Sequence, residues 1–142
     1  MEIKWVDTHC HLQLLNKNLD ENHFKNIEFL VIPGVDVESS SKAKEISSSL
    51  EVESYWSAGL HPHDAKLLDT QRHDLEKLFV EADLIGETGL DFYRNLSTKE
   101  QQRENFLFHL EFSKQLNKPI IIHCRDSFQD TYDLLVEFNN PS

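Results

Sequence analysis

The chain has 142 residues, enough for one domain with a sizeable core, and its 39% hydrophobic and 27% charged content excludes a disordered or membrane-spanning class. Lys+Arg 14 against Asp+Glu 25 leaves a net charge of -11, the wrong sign for gripping nucleic acid mainly by counterion displacement, so phosphate chemistry here would need bound cations. Cys10 and Cys124 belong to no CxxC pair, the opening MEIKWVDTHCH lacks the apolar run of a secretory signal, and no stretch approaches the roughly 18 apolar residues of a membrane span; the expectation is a reducing, cytoplasmic setting.

Alternating Ile3, Trp5 and Val6 begin a predicted strand over Lys4–His9, and a second follows at Glu28–Ile32. Val37, Ala43, Ile46 and Leu50 lie near helical spacing and predict a helix over Val37–Leu50. A strand at Glu53–Leu60 precedes a helix at Gln71–Glu81, which places Leu75, Leu78 and Phe79 on one side. After a strand at Asp83–Glu87, a long helix over Thr98–Asn117 repeats Phe106, Leu110 and Leu116, with Ser97 and Glu100 spaced as a capping box at its start. The run Pro119–Cys124 is apolar on both faces, as a buried parallel strand should be, and Asp126 is placed to cap a last helix over Ser127–Phe138. Strand–helix units repeating every 25–35 residues or so predict right-handed crossovers and a parallel α/β sheet, one domain over 1–142 with no Gly-, Ser- or Pro-rich linker.

Polar residues gather where these strands end, the place where parallel α/β folds build their sites. On a strand, His9 and His11 share a face about 6.6 Å apart, a spacing that lets both rings reach one metal ion. With 8 His in 142 positions about 0.4 such pairs arise by chance, so this pair alone decides nothing. Glu87, after Leu84-Ile85-Gly86, is a costly buried charge unless it is paired or bound to metal. His123, after three isoleucines, is either a hydrogen-bonded core histidine or a ligand. His61 and His63 flank the turn-fixing Pro62 and suit either metal or an anionic substrate. Arg125 offers a planar fork for phosphate, unless Asp126 pairs with it. Cys10 and Cys124 face away from their histidine neighbours as small apolar filler under the helices, and His23, His73 and His109 are expected to be structural or solvated.

Together DTHCHL, GLHPHDA, IGETGLDFY and NKPIIIHCRDS, in this order, resemble the TatD family of metal-dependent deoxyribonucleases from Asp7 to about Leu135. The resemblance implies a TIM-type (β/α) barrel with two divalent ions, Mg²⁺ or Mn²⁺, with Zn²⁺ also suited to a histidine-rich site. His9, His11 and Glu87 would hold one ion, while a bridging, catalytic Glu87 and His123 reach the second. His61, His63 and Arg125 would contact phosphate, and Asp91 would orient the site from behind the ligands. DNA ends, trimmed from the 3′ side, would be the substrate. A complete barrel takes eight strands and about 250 residues, whereas five units are legible here. The resemblance therefore also implies an incomplete barrel, lacking a further histidine on the next strand and an aspartate near the last. It leaves the flank of the PIIIH strand open to self-association. Two alternatives remain: a metal-dependent amide or lactone hydrolase sharing the HxH opening, and a non-catalytic, degenerate metal-binding module.

Overall fold

A computed structural model describes residues 3–15 and 19–139; residues 1–2, 16–18 and 140–142, which include the ends of the sequence considered above, lie outside the described residues. Five strands, β1 (Trp5–Asp7), β2 (Ile27–Pro33), β3 (Glu53–Ala58), β4 (Leu84–Asp91) and β5 (Ile120–Arg125), form one sheet in the order β1-β2-β3-β4-β5. Every neighbouring pair is parallel. With four helices, α1 (Val37–Ser49), α2 (Leu68–Glu81), α3 (Lys99–Leu116) and α4 (Phe128–Asn139), the strands make a curled half-barrel. Consecutive strands lie side by side, so all their carboxyl ends open onto one rim. No helix among the described residues is long and apolar enough to cross a membrane.

The apolar faces predicted from periodicity supply the packing. Ile32, Trp56, Ala58 and Ile85 from the sheet meet Ala43, Leu75, Phe79 and Phe108 from the helices in one cluster, and Leu90, Phe106, Leu110 and Leu134 form a second beneath α3 and α4. At about 25 cal/mol per Å² of apolar surface removed from water, these contacts dominate the stability of the half-barrel.

Several element boundaries differ from expectation, each for a local reason. β1 ends at Asp7, so His9 and His11 lie beyond the ladder and owe their proximity to the following loop. The β1–β2 connection carries short 3₁₀ turns, Leu12–Leu14 and Glu21–Phe24, among its described residues, so the strand–helix repeat begins only with β2. A 3₁₀ turn over Pro62–Leu67 leads into α2, which starts at Leu68, three residues before the predicted start. The cap of α3 is Thr98, whose hydroxyl accepts the Gln101 N–H, while Gln101 Oε1 accepts the Thr98 N–H. Ser97 is instead buried, donating to His63 O at 2.9 Å and accepting the Lys66 N–H. Asp126 adopts a left-handed φ of 52°, and the first turn of α4 closes on Ser127, whose carbonyl accepts the Thr131 N–H. Cys124 is exposed rather than filler, because it lies past the covered part of β5; Cys10 is half-buried with its thiol on Val31 O.

β4 runs on to Asp91 through an irregularity that matters. Between the pairs Ile85↔Ile120 and Thr88↔Ile122, β4 spends three steps where β5 spends two, so Gly86 and Glu87 bulge out of the ladder. The Glu87 N–H then crosses to Gly34 O at 2.8 Å, aiming its side chain over the rim. Gly89 has φ 137°, and a Cβ there would lie 2.1 Å from His123 O, so only glycine permits the close β4–β5 approach.

Candidate metal centre

The loop after β1 is pinned from both sides. Asp7 Oδ1 accepts the His9 N–H, and the Cys10 N–H donates to Val31 O on β2 at 3.0 Å. His11 Nδ1 lies 3.0 Å from Pro33 O, where it can only donate. This leaves Nε2 of His9 and Nε2 of His11 3.1 Å apart, at 3.2 and 3.4 Å from Glu87 Oε2. Glu87 Oε1 faces the other way, 3.1 Å from His123 Nδ1 and 3.9 Å from His61 Nε2. Two groups of potential ligands result, His9/His11/Glu87 and His61/Glu87/His123, each with donor atoms within 4.8 Å of one another and with Glu87 in common.

The hydrogen-bond network assigns the protons. His123 Nε2 is 3.0 Å from Asp91 Oδ2, a carboxylate that accepts, so a neutral His123 bears its lone pair on Nδ1. By the same reasoning a neutral His11 bears its lone pair on Nε2. Both lone pairs face Glu87 oxygens, with Nε2 of His9 3.1 Å from His11 Nε2 and Nε2 of His61 3.2 Å from His123 Nδ1, so donors from several elements crowd one small volume. The Glu87 hydrogen bond raises the pKa of both His11 and His123, drawing an extra proton into the position a metal ion would take. Burial works to raise the Glu87 carboxyl, but hydrogen bonds from His11 and His123 outweigh it and hold the group well below the usual carboxylate range. A buried carboxylate ringed by inward-facing imidazoles fits a divalent ion.

His61 behaves differently from its neighbours. Burial, followed by the charge of His123, lowers it to about 4, so it is neutral. Its Nδ1 accepts the His63 N–H, which leaves the proton on Nε2, directed at the centre. Distance groups His61 with the second set of ligands; its tautomer gives it an N–H to offer there instead, suited to an anionic oxygen.

Asp91 is fully buried behind the rings. Oδ2 receives both His63 Nε2, at 2.8 Å, and His123 Nε2, while Oδ1 accepts the N–H groups of Tyr93 and Arg94. These donors, led by the Arg94 N–H, overcome a burial effect that opposes ionisation and keep Asp91 a carboxylate. His11, His61, His63, Glu87 and His123 line an open depression of about 330 Å³ with Val35 and Asp64. Arg125 stands at the rim outside that lining, its guanidinium carbon 3.9 Å over the Tyr93 ring.

A buried polar stripe on α3 holds these parts in place and was not anticipated from the sequence. Gln102 exchanges bonds with both backbone groups of Asp91, its Oε1 accepting the N–H and its Nε2 donating to the carbonyl. Asn105 donates to Leu60 O at 2.7 Å, and His109 Nε2 accepts the Leu60 N–H at 3.0 Å. The Leu60 peptide groups flanking His61 are thus clamped by two side chains of one helix. The spacing Gln102, Asn105, His109 at i, i+3, i+7 is the signal: polar residues on the inner face of an amphipathic helix. His109 is structural, as expected, and fully buried.

The family model described as TatD related DNase matches residues 6–142. The chain belongs to the TatD family. An uncharacterized metal-dependent hydrolase of Buchnera aphidicola is 33% identical to this TatD chain over 150 residues, covering 95% of it and 55% of the relative. The 3′-5′ ssDNA/RNA exonuclease TatD of Escherichia coli K12 is 36% identical over 110 residues, 75% of this chain and 42% of that protein. The solved structure of a TatD homologue from Escherichia coli K12 shares the fold, with a TM-score of 0.86 at 21% identity over 99% of this chain and 58% of that one. The chain spans about half the length of the curated relatives it matches, and its half-barrel accordingly corresponds to an incomplete TIM-type barrel.

Proposed function

We propose that this TatD-family chain carries the metal-binding part of a phosphodiesterase that trims DNA from its 3′ end, with two divalent ions, Mg²⁺ or Mn²⁺ and alternatively Zn²⁺. The observation that supports it is the sharing of Glu87 between two groups of imidazoles on opposite sides of its carboxylate. His9, His11 and Glu87 would hold one ion, and Glu87 with His123 the other; ions held there would supply positive charge to activate a water and to offset the charge of phosphoryl oxygens. Asp91 keeps the His123 lone pair turned inward by accepting a hydrogen bond from the N–H of the far nitrogen. His61 donates its Nε2 proton to a phosphoryl oxygen, and its neutrality keeps it from repelling the ions. His63, hydrogen-bonded to Asp91, and Arg125 at the rim steady the adjacent phosphate.

The test is Mn²⁺-dependent shortening of a 5′-labelled single-stranded oligonucleotide by the full-length protein and its Glu87→Ala variant, alongside a metal analysis of both. Nucleotide release by the wild type and a loss of at least about 100-fold in the variant, with the metal gone, are expected. Turnover of amides or lactones but not DNA would replace this reading with the alternative hydrolase. Tight metal binding without hydrolysis of any ester would leave a binding module.

A further inference from the structure

Among the four arginines of this acidic chain, Arg72 pairs with Glu104 and Arg103 with Glu137. Arg94 and Arg125 have no carboxylate within 4.0 Å among the described residues, although the chain holds 25 acidic groups. Arg125 lies on one exposed aromatic ring at the rim of the metal centre, and Arg94 follows that ring in sequence. Tyr93 is 60% exposed, with Arg125 stacked at 3.9 Å on its ring. The arrangement is rigidly tied to the centre. The Phe92 N–H donates to Arg125 O at 3.0 Å, joining the two loops. Asp91, which orients His63 and His123 through one oxygen, accepts the Tyr93 and Arg94 N–H groups with the other.

From this geometry we propose that Tyr93 and Arg125 form a stacking platform for a nucleobase of single-stranded nucleic acid, next to the nucleotide whose phosphate enters the metal centre. An exposed aromatic ring offers a base a flat apolar surface, and stacking tolerates any base because every base has a π-face. An arginine lying on a tyrosine ring keeps its in-plane N–H groups free for a phosphate oxygen. The two together match one nucleotide, ring and phosphate, where a peptide or a simple anion would use only half of the surface. On a chain of net charge -11, Arg94 and Arg125 put positive charge without a paired carboxylate at this rim, where a polyanion would be attracted. The inference rests on the phosphodiesterase reading and names the part of the substrate that its neighbouring surface recognises.

The experiment measures binding of a fluorescein-labelled, phosphorothioate-linked dT8 strand to the full-length protein, against an abasic deoxyribose-phosphate strand of the same length. Tyr93→Ala should weaken dT8 about tenfold and leave the abasic strand unchanged, and Tyr93→Phe should retain wild-type binding. Arg125→Ala should lower the magnitude of the salt slope by about 0.7 for both strands. Unchanged thermal unfolding of Tyr93→Ala checks that the exposed substitution leaves the fold intact. If the wild type binds dT8 and the abasic strand equally, and Tyr93→Ala changes neither, the platform is overturned while the phosphodiesterase reading stands. If the wild type binds neither strand, both fall together.

Discussion

Oδ2 of Asp91 lies 3.0 Å from Nε2 of His123, on the far side of the ring from Glu87, and the same oxygen receives His63 at 2.8 Å. One buried carboxylate thus decides which nitrogen of His123 is free to meet a metal ion. Asp91→Asn would remove that charge while preserving shape, and metal affinity should fall about 10- to 100-fold. Calorimetric titration with Zn²⁺ measures it; equal affinities would deny Asp91 its orienting role. Binding should also release protons and weaken toward acid, because His11 and His123, raised by Glu87, hold protons where the ions belong.

His109 links acid stability to the placement of the His61 turn. Its fully buried ring is lowered by burial to about 4. Between its ordinary value of 6.5 and about 4 the unfolded chain takes up a proton there that the folded chain refuses, so His109 makes stability fall as pH drops through that window. His109→Leu lacks this term but leaves the Leu60 N–H unpaired, at a cost of about 1–3 kcal/mol at pH 8. Denaturant titrations should show the variant less stable at pH 8 and the gap narrowing below pH 6.5. His61, lowered in the same sense, and His11 and His123, raised, contribute alike to both proteins and cancel in the comparison. A gap independent of pH would refute the buried, neutral His109.

Gly89→Ala should break the β4–β5 seam. A methyl group would meet His123 O at 2.1 Å on a backbone with φ 137°, so the strand must shift, at about 1–3 kcal/mol or more. A melting temperature lowered by a few to about 10 °C is expected, with metal affinity reduced alongside because His123 moves. An unchanged melting temperature would mean that the seam has slack.

Among the described residues the outer flank of β5 pairs with no strand, and its apolar residues are only half-buried, a combination that invites strand pairing. Light scattering on the 142-residue chain should show mass rising with concentration. Lys substituted at Ile121 should suppress this. A monomer at all concentrations would remove self-association from consideration.

The βα alternation, the parallel sheet and the gathering of His9, His11, His61, His63, Asp91 and His123 around strand ends were legible in the sequence, because side-chain periodicity and strand polarity are local properties; Glu87 was legible as a polar residue of β4, not as part of a bulge inside it. Which atoms face one another was not. The β1 strand stops before His9, and its loop is positioned by carbonyls of β2 over twenty residues away, Val31 and Pro33. The Glu87 bulge exists only because two strands count differently across a ladder, and the His61 proton is assigned by a backbone N–H two residues on. The stripe of Gln102, Asn105 and His109 reads as ordinary polar helix until packing buries it against strand ends. Residue types and their order thus determined what chemistry was available. Tertiary packing alone decided which lone pairs converge, because hydrogen-bond direction depends on partners brought together from distant parts of the chain.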